Sequence, residues 1–365
     1  MMNILKDKIN PKQICIALFI AFPLVLLAGI AIKPDVSFSV NENRTLTTAK
    51  DMEWDIFDGR FQQSLENCLS DQFPMRDRLK GAETGIQLRL GSASIGGAYI
   101  GSDGRLFQKI LESDIDRTKC VRYAARVNRI AEETGIDTYV MYVPSAGISL
   151  RERMPYGSPM YDYDSLYHAL GKELKSAHVI DLRKAFYGHP EYYYATDHHW
   201  TAKGAAQAYH LWRVAHGWET ENEKAPELFT VSSEFRGTLW SRVPSGAISC
   251  EKIQAPVING EITVEADGRE TELYDQSALA TKDKYNFFEG GNHGILTVTN
   301  PNVKKGSTLL ILKDSFANSF LPFLVNDYAK IIMVDERYAF IDVGQLAVES
   351  NADEIAVIRE IISAG

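Results

Sequence analysis

The segment Thr196-Asp197-His198-His199-Trp200-Thr201 places a carboxylate and an imidazole two residues apart, directly before an apolar-periodic stretch. At that spacing in a loop, Asp197 can hold the ring of His199 in one tautomer and stabilise its protonated form, which is half of a hydrolytic triad. The second such segment is Lys313-Asp314-Ser315-Phe316, which follows the apolar run Thr308-Leu309-Leu310-Ile311-Leu312. A serine at the turn from a buried strand into a helix projects above the sheet edge, and the first helical N–H groups then point where an oxyanion would form. Ser315 is therefore the candidate nucleophile, His199 the general base and Asp197 its orienting partner. Each has a plainer use: Asp197 as a turn or capping residue, Ser315 as an N-cap. Ser145, after Val143-Pro144, is a rival nucleophile with no acid–base pair near it in sequence.

Around these, Asn292 in the turn Gly290-Gly291-Asn292 is the candidate second oxyanion donor, the alternative being that the glycines simply make a turn. His198 is expected to face away from His199 in an extended loop and to touch substrate or cap the next helix. Trp200 has two uses, stacking on a sugar face or anchoring the loop by burial, and burial is the commoner one for such a ring. Phe316, Phe320 and Leu324 recur at core spacing and read as packing. Five of the 8 histidines lie between His189 and His216, but neither His-x-x-x-His nor His-Glu-x-x-His occurs, so no catalytic metal is expected. No soluble cofactor is implied.

The elements that must position these residues follow from periodicity. From Asp116 the texture alternates: a helix to Thr134, a strand Thr138–Val143, a helix near Ser165–Ser176, and a strand His178–Leu182. Such alternation predicts an α/β domain with a parallel sheet and helices on its faces. Thr201 is placed to cap a helix reaching Ala215. A β-rich insertion is expected over about residues 232–300, after which the α/β texture returns with Thr308–Leu312, a helix from Ser315 to about Asn326, and Ile331–Val334. Upstream, Phe57, Phe61, Leu65, Cys68 and Leu69 predict a helix ended by Pro74, and a second helix is expected over Met75–Leu90. Gly101-Ser102-Asp103-Gly104 predicts a hairpin turn.

At the N-terminus, Gln13–Ile32 is an apolar run of roughly 20 residues, the length that spans a bilayer core as a helix. Lys6, Lys8 and Lys12 precede it with only Asp7 opposing, which keeps the N-terminus cytoplasmic. The expected organisation is a cytoplasmic tail (1–12), a transmembrane signal anchor (13–32), a tether (33–50) and an extracytoplasmic domain (51–365). A cleaved signal peptide is the rival, with a shorter apolar core of about 7–15 residues and a small-x-small site that is not evident before Lys33. With 39 Lys+Arg against 48 Asp+Glu the net charge is −9, and no basic run accompanies aromatics, which argues against nucleic acid as a partner. Outside the membrane Cys68, Cys120 and Cys250 form an odd set that allows at most one disulfide.

Asp197-His198-His199-Trp200 resembles the signature of the bacterial DHHW protein family, which is similar to the extracytoplasmic O-acetyltransferases of alginate biosynthesis. Glu42-Asn43-Arg44, Asp71-Gln72-Phe73-Pro74 with Arg76-Asp77, Ile100–Gly104 and Gly290–Asn292 also resemble family patterns. The resemblance implies an SGNH-hydrolase-like three-layer fold, with Ser315, His199 and Asp197 as the triad. It implies an O-acetyltransferase or acetylesterase of a cell-surface polysaccharide, and a membrane-bound O-acyltransferase as a partner that delivers acyl groups. One departure stands out: Lys313 occupies the position where SGNH hydrolases usually carry glycine, and a bulky residue there would narrow the approach to the oxyanion hole. The competing function is a non-catalytic carbohydrate-binding or assembly protein that keeps the fold.

Overall fold

The computed structural model describes residues 10–39, 41–42, 44–57, 59–218, 226–244, 248–258, 260–303 and 307–364. Lys6, Lys8 and Asn43 lie outside the described residues. The chain divides into two compact units, residues 1–88 and 89–365.

In the first unit a helix runs over Pro11–Ile32, and its Pro11–Ile30 stretch is long and apolar enough to cross a membrane. At 1.5 Å per residue its 22 residues span about 33 Å. Helices follow at Arg60–Asp71 and Arg76–Arg89, close to the predicted bounds. Described residues of the polar stretch expected as a tether make local pairings. Phe38–Ser39 and Arg44–Thr45 pair as short strands, and the Gln72 side chain bonds the N–H and C=O of Val36 and the C=O of Thr47. Arg44 pairs with Asp71, and Arg76 with Glu42 at 2.7 Å. The motifs Glu42–Arg44 and Asp71–Asp77 thus meet each other, and their charges tie this strand pair to the helices.

The second unit is built on an eight-stranded sheet in the order Arg269–Thr271, Thr263–Ala266, Ile295–Thr299, Lys330–Val334, Thr308–Lys313, Glu354–Glu360, Asp137–Val143, His178–Val179. The last five strands in that order are mutually parallel, and the first three are added antiparallel at one edge. Those three come from the segment expected as a β-rich insertion in the α/β domain. Val264, Leu296 and Val298 face the main core, so these strands extend the sheet, while Leu228–Phe235 and Glu251–Pro256 pair with each other as a separate two-stranded sheet.

The two faces of the central strands bury different residues, as parallel strands covered on both sides require. Leu309, Ile311, Met333 and Ile358 pack with Trp212 of the helix Ala202–Ala215, while Leu310, Leu312, Val334 and Val357 pack with Val127 of Arg117–Thr134 and Leu166 of Tyr163–Glu173. The strand expected over His178–Leu182 is only two residues long, because Leu182 already begins the turn into Arg183–Phe186. All four cysteines are free.

Candidate active site

The chemistry-bearing segments lie where the central parallel strands end, the edge at which ligands bind in open α/β sheets. Strand Thr308–Lys313 delivers Asp314 and Ser315 there. The expected helix from Ser315 to about Asn326 does not form. Ser315–Ala317 is a single 3₁₀ turn, and after a break Leu321–Leu324 makes one short α-helical turn that contains Pro322. No long helix dipole therefore faces Ser315. The capping role falls to Asp314: its Oδ1 accepts from the Phe316 N–H at 2.9 Å, and its Oδ2 from the Glu360 N–H at 2.8 Å and the Ser363 hydroxyl at 2.6 Å. Ser315 is thus released from the N-cap use.

The Asp197–His199 loop is held from several sides. Glu251, on the hairpin, accepts from the Ala195 N–H (2.6 Å), the Thr196 N–H (2.7 Å) and the Thr196 hydroxyl (2.6 Å). Arg105, buried at the end of the Gly101–Gly104 turn, donates to the carbonyls of Pro190, Tyr193 and Tyr194. The predicted hairpin, Ala98–Ile100 paired with Leu106–Gln108, thereby helps to position this loop, and its Leu106 N–H also bonds the Ala195 carbonyl. Thr201 caps the following helix through Gly204, which leaves Asp197 free of that role.

Asp197, 1% exposed, accepts hydrogen bonds through both carboxylate oxygens. Its Oδ1 takes the His199 N–H at 3.0 Å and Nδ1 at 2.6 Å, and its Oδ2 takes the Thr238 N–H at 2.7 Å and hydroxyl at 3.0 Å. Burial alone would raise this carboxyl, but the neighbouring His199 and His198 and the donated hydrogen bonds outweigh it and hold the group well below the usual carboxylate range. Across the ring, His199 Nε2 lies 2.7 Å from Ser315 Oγ. With Nδ1–H given to Asp197, Nε2 is the acceptor and the serine hydroxyl donates. The Tyr285 ring stacks on the imidazole at 4.0 Å and 7°, and its hydroxyl donates to Ser319 Oγ and the Ser315 carbonyl. The arrangement can remove the Ser315 proton as the hydroxyl attacks an ester, with the imidazolium stabilised by a fixed carboxylate.

Gly237 is required by close approach: a Cβ there would sit 2.2 Å from Asp197 Oδ2. Gly237→Ala is therefore expected to shift the carboxylate and lower Ser315-dependent ester hydrolysis about 100-fold with a much smaller change in Tm, since misplacement on the scale of 1 Å has that kinetic effect. Rate assays beside thermal melts check this.

The remaining predicted residues fall differently. Trp200 is fully buried, and its Nε1 donates to the Phe316 carbonyl and Ser319 Oγ, both at 2.9 Å. Its assignment to substrate binding is corrected: it pins the imidazole loop to the serine turn. His198, with 28% of its side chain exposed, stands beside His199 at 3.9 Å between ring centres and bonds Thr238 Oγ1 at 2.9 Å; it does not cap the next helix. Loss of solvent and then the charge of His199 push it down to about 4. Asn292 is exposed, and its Oδ1 accepts from Lys313 Nζ at 3.4 Å and Asn318 Nδ2 at 3.3 Å. Ser145 Oγ is buried and has no hydrogen-bond partner among the described residues. One ligand atom each from Asp197, His198 and His199 could meet at a metal, lying within 4.8 Å of one another, but both nitrogens of His199 are engaged in the Asp197–Ser315 chain.

Glu251, Arg105, Thr238, Tyr285, Ser319 and the buried Glu289 were not foreseen from the sequence. Among these only Arg105 carried a signal, through the turn preceding it.

An α/β unit with a serine–imidazole–carboxylate chain at the sheet edge defines the class. The DHHW protein family model matches residues 160–334, so the family resemblance carried by Asp197–Trp200 holds. A DHHW family protein from Eubacterium siraeum shares the fold at 21% identity, with 74% of this chain and 93% of that chain covered and a TM-score of 0.62. PatB1 of Bacillus cereus, in a structure with a sulfonyl adduct, matches at 19% identity over 73% of this chain and 95% of that chain, TM-score 0.61. A weaker likeness, TM-score 0.43 and 14% identity over 72% of this chain and 90% of that one, is to the O-acetyltransferase domain of Pseudomonas putida AlgJ. Comparison with curated proteins finds no match.

Proposed function

We propose that this chain is a membrane-anchored, extracytoplasmic SGNH-like enzyme that transfers an acetyl group to, or removes it from, a cell-surface polysaccharide. The observation that carries the reading is the continuous hydrogen-bonded chain from Asp197 through His199 to Ser315 Oγ. Ser315 attacks the donor ester while His199 takes its proton; the ester C–O bond then breaks and the imidazolium returns the proton to the departing alcohol, which leaves acetyl on Ser315 and His199 neutral. The acyl-enzyme then passes its acetyl to a sugar hydroxyl or to water, with His199 deprotonating the acceptor. The Ser315 N–H and the side-chain amide of Asn292 serve the oxyanion, and His198, at the rim, faces the acceptor. Lys313 does not obstruct this path, because its side chain is turned inward and 1% exposed. A membrane-bound O-acyltransferase supplies the acetyl group across the bilayer. The test is transfer itself: with an activated acetyl ester and a defined oligosaccharide, acetyl appears on the sugar in the wild type and not in His199→Ala. Activity retained in His199→Ala overturns the reading.

The helix Pro11–Ile32 serves as the anchor. Deleting residues 1–33 is expected to move the protein from the membrane fraction to the soluble one with its ester hydrolysis unchanged. A wild-type chain isolated from cells with its N-terminus near Lys33 would instead establish cleavage.

A further inference from the structure

Lys313 is the last residue of its strand, and its side chain is 1% exposed. Its Nζ donates to Asn318 Oδ1 at 2.6 Å and to Asn292 Oδ1 at 3.4 Å, and lies 3.9 Å from Glu289 Oε2. Glu289 is also 1% exposed, and neither carboxylate oxygen has a hydrogen-bond partner among the described residues. Its backbone sits in the left-handed region at φ 64°, directly before Gly290 (φ 74°) and Gly291 (φ 115°), a bend that glycine permits. Asp335 and Asp314 add negative charge around the ammonium, and Arg337, paired with Asp335, opposes it. Burial disfavours both charges, pushing Lys313 below the usual lysine value and Glu289 up to about 8, and the attraction between the two, with Asp335 and Asp314, acts against that loss of solvent.

The consequence falls on Asn292. A lysine offers only donors, so the atom of Asn292 that faces Nζ is the amide oxygen, and Asn318 Nδ2 supplies a second donor to the same oxygen. With the oxygen held inward, the NH₂ group of this exposed residue is turned away from Lys313 and makes no hydrogen bond among the described residues. We propose that Lys313, countered by Glu289, is a positioning residue that fixes the Asn292 amide with its NH₂ presented to the oxyanion. The proposal deepens the acyl-transfer reading and rests on it. The departure from glycine before Asp-Ser is then a working part of the site: a buried cation that sets which face of an amide the substrate meets.

The test is a double-mutant cycle on the full-length chain in detergent, with kcat/KM for 4-nitrophenyl acetate and Tm measured together. Asn292→Ala is expected to lower kcat/KM about 100-fold, the effect of losing one oxyanion donor. Lys313→Met is expected to lower it about 10- to 100-fold, and the double variant to lose no more than the larger single loss. Asn292→Asp keeps an oxygen for Lys313 and removes the donor, so its rate falls as in Asn292→Ala while Tm holds or rises. If Lys313→Met does not fold, Asn318→Ala, which removes the other donor to the same oxygen, takes its place in the cycle with the same expectation. Single losses that multiply in the double variant, or a Lys313→Met rate within about twofold of wild type, overturn the proposal alone. A wild type with no Ser315-dependent turnover overturns the acyl-transfer reading and the proposal with it.

Discussion

An activated acetyl ester or a sulfonyl fluoride is expected to modify Ser315 and no other serine, with the adduct absent from Ser315→Ala and His199→Ala and intact in Ser145→Ala. The reason is kinetic. A solvent-exposed hydroxyl is a weak nucleophile at neutral pH, whereas Ser315 Oγ donates to an imidazole at 2.7 Å that is itself held at 2.6 Å by a buried carboxylate. General-base help and oxyanion stabilisation each contribute on the order of 100-fold or more, so the difference from an ordinary serine is on the order of 10⁴-fold. Asp197→Asn should lose most of this rate, because an amide no longer holds Nδ1–H toward itself and the tautomer that leaves Nε2 free to accept is lost. Mass spectrometry of the intact protein and of its peptides reads all four variants. A label on Ser145, or labelling indifferent to His199, would sink the triad while leaving the fold untouched.

How much of this was legible in the sequence depended on whether a signal was local. The strand Asp137–Val143 and the helices Arg117–Thr134 and Ala202–Ala215 were readable because burial on one or both faces imposes a period on consecutive residues. The helix after Ser315 was misread for a related reason: Phe316, Phe320 and Leu324 have helical spacing and are all buried, but they are buried on a 3₁₀ turn and a separate short turn around Pro322. Residues 263–299 read as an insertion because short alternating strands look alike at a sheet edge and in an independent hairpin. Their pairing partner, Lys330–Val334, lies further along the chain and is invisible to any local pattern.

The same distinction divides the site. Asp197 and His199 are two residues apart, so their partnership is a local property. Ser315 is 116 residues from His199, and its assignment came from its own turn and from family resemblance. Glu251, Thr238 and Arg105 reach the loop from 41 to 89 residues away, Glu251 and Arg105 through its backbone groups and Thr238 through the Asp197 carboxylate, and no local pattern announces such distant partners. Glu289 and Lys313 are charged residues whose place would ordinarily be the surface. Only three-dimensional contact shows that they are buried together.

Trp200→Ala is expected to destabilise the second unit by about 3–5 kcal/mol, the cost of emptying a large aromatic site, and to abolish Ser315 labelling at temperatures where the protein stays folded. Trp200 packs against Phe186, Phe316 and Phe320, and its Nε1–H joins the loop of Asp197 to the turn of Ser315 through the Phe316 carbonyl and Ser319 Oγ. Trp200→Phe separates the two contributions. Most of the ring volume remains, while two buried acceptors lose a donor, at a cost of about 1–3 kcal/mol. Ser319 retains the Tyr285 hydroxyl as a partner, so the smaller end of that range is the better expectation. In Trp200→Phe the labelling rate should fall more than the stability does, because the imidazole and the serine are then held in register by fewer bonds. Urea unfolding and label uptake, measured on the same preparations, distinguish this from a sugar-stacking role. Stacking would leave stability and labelling by a small ester unchanged and weaken only the use of the oligosaccharide, and that pattern would return Trp200 to the substrate side of the site.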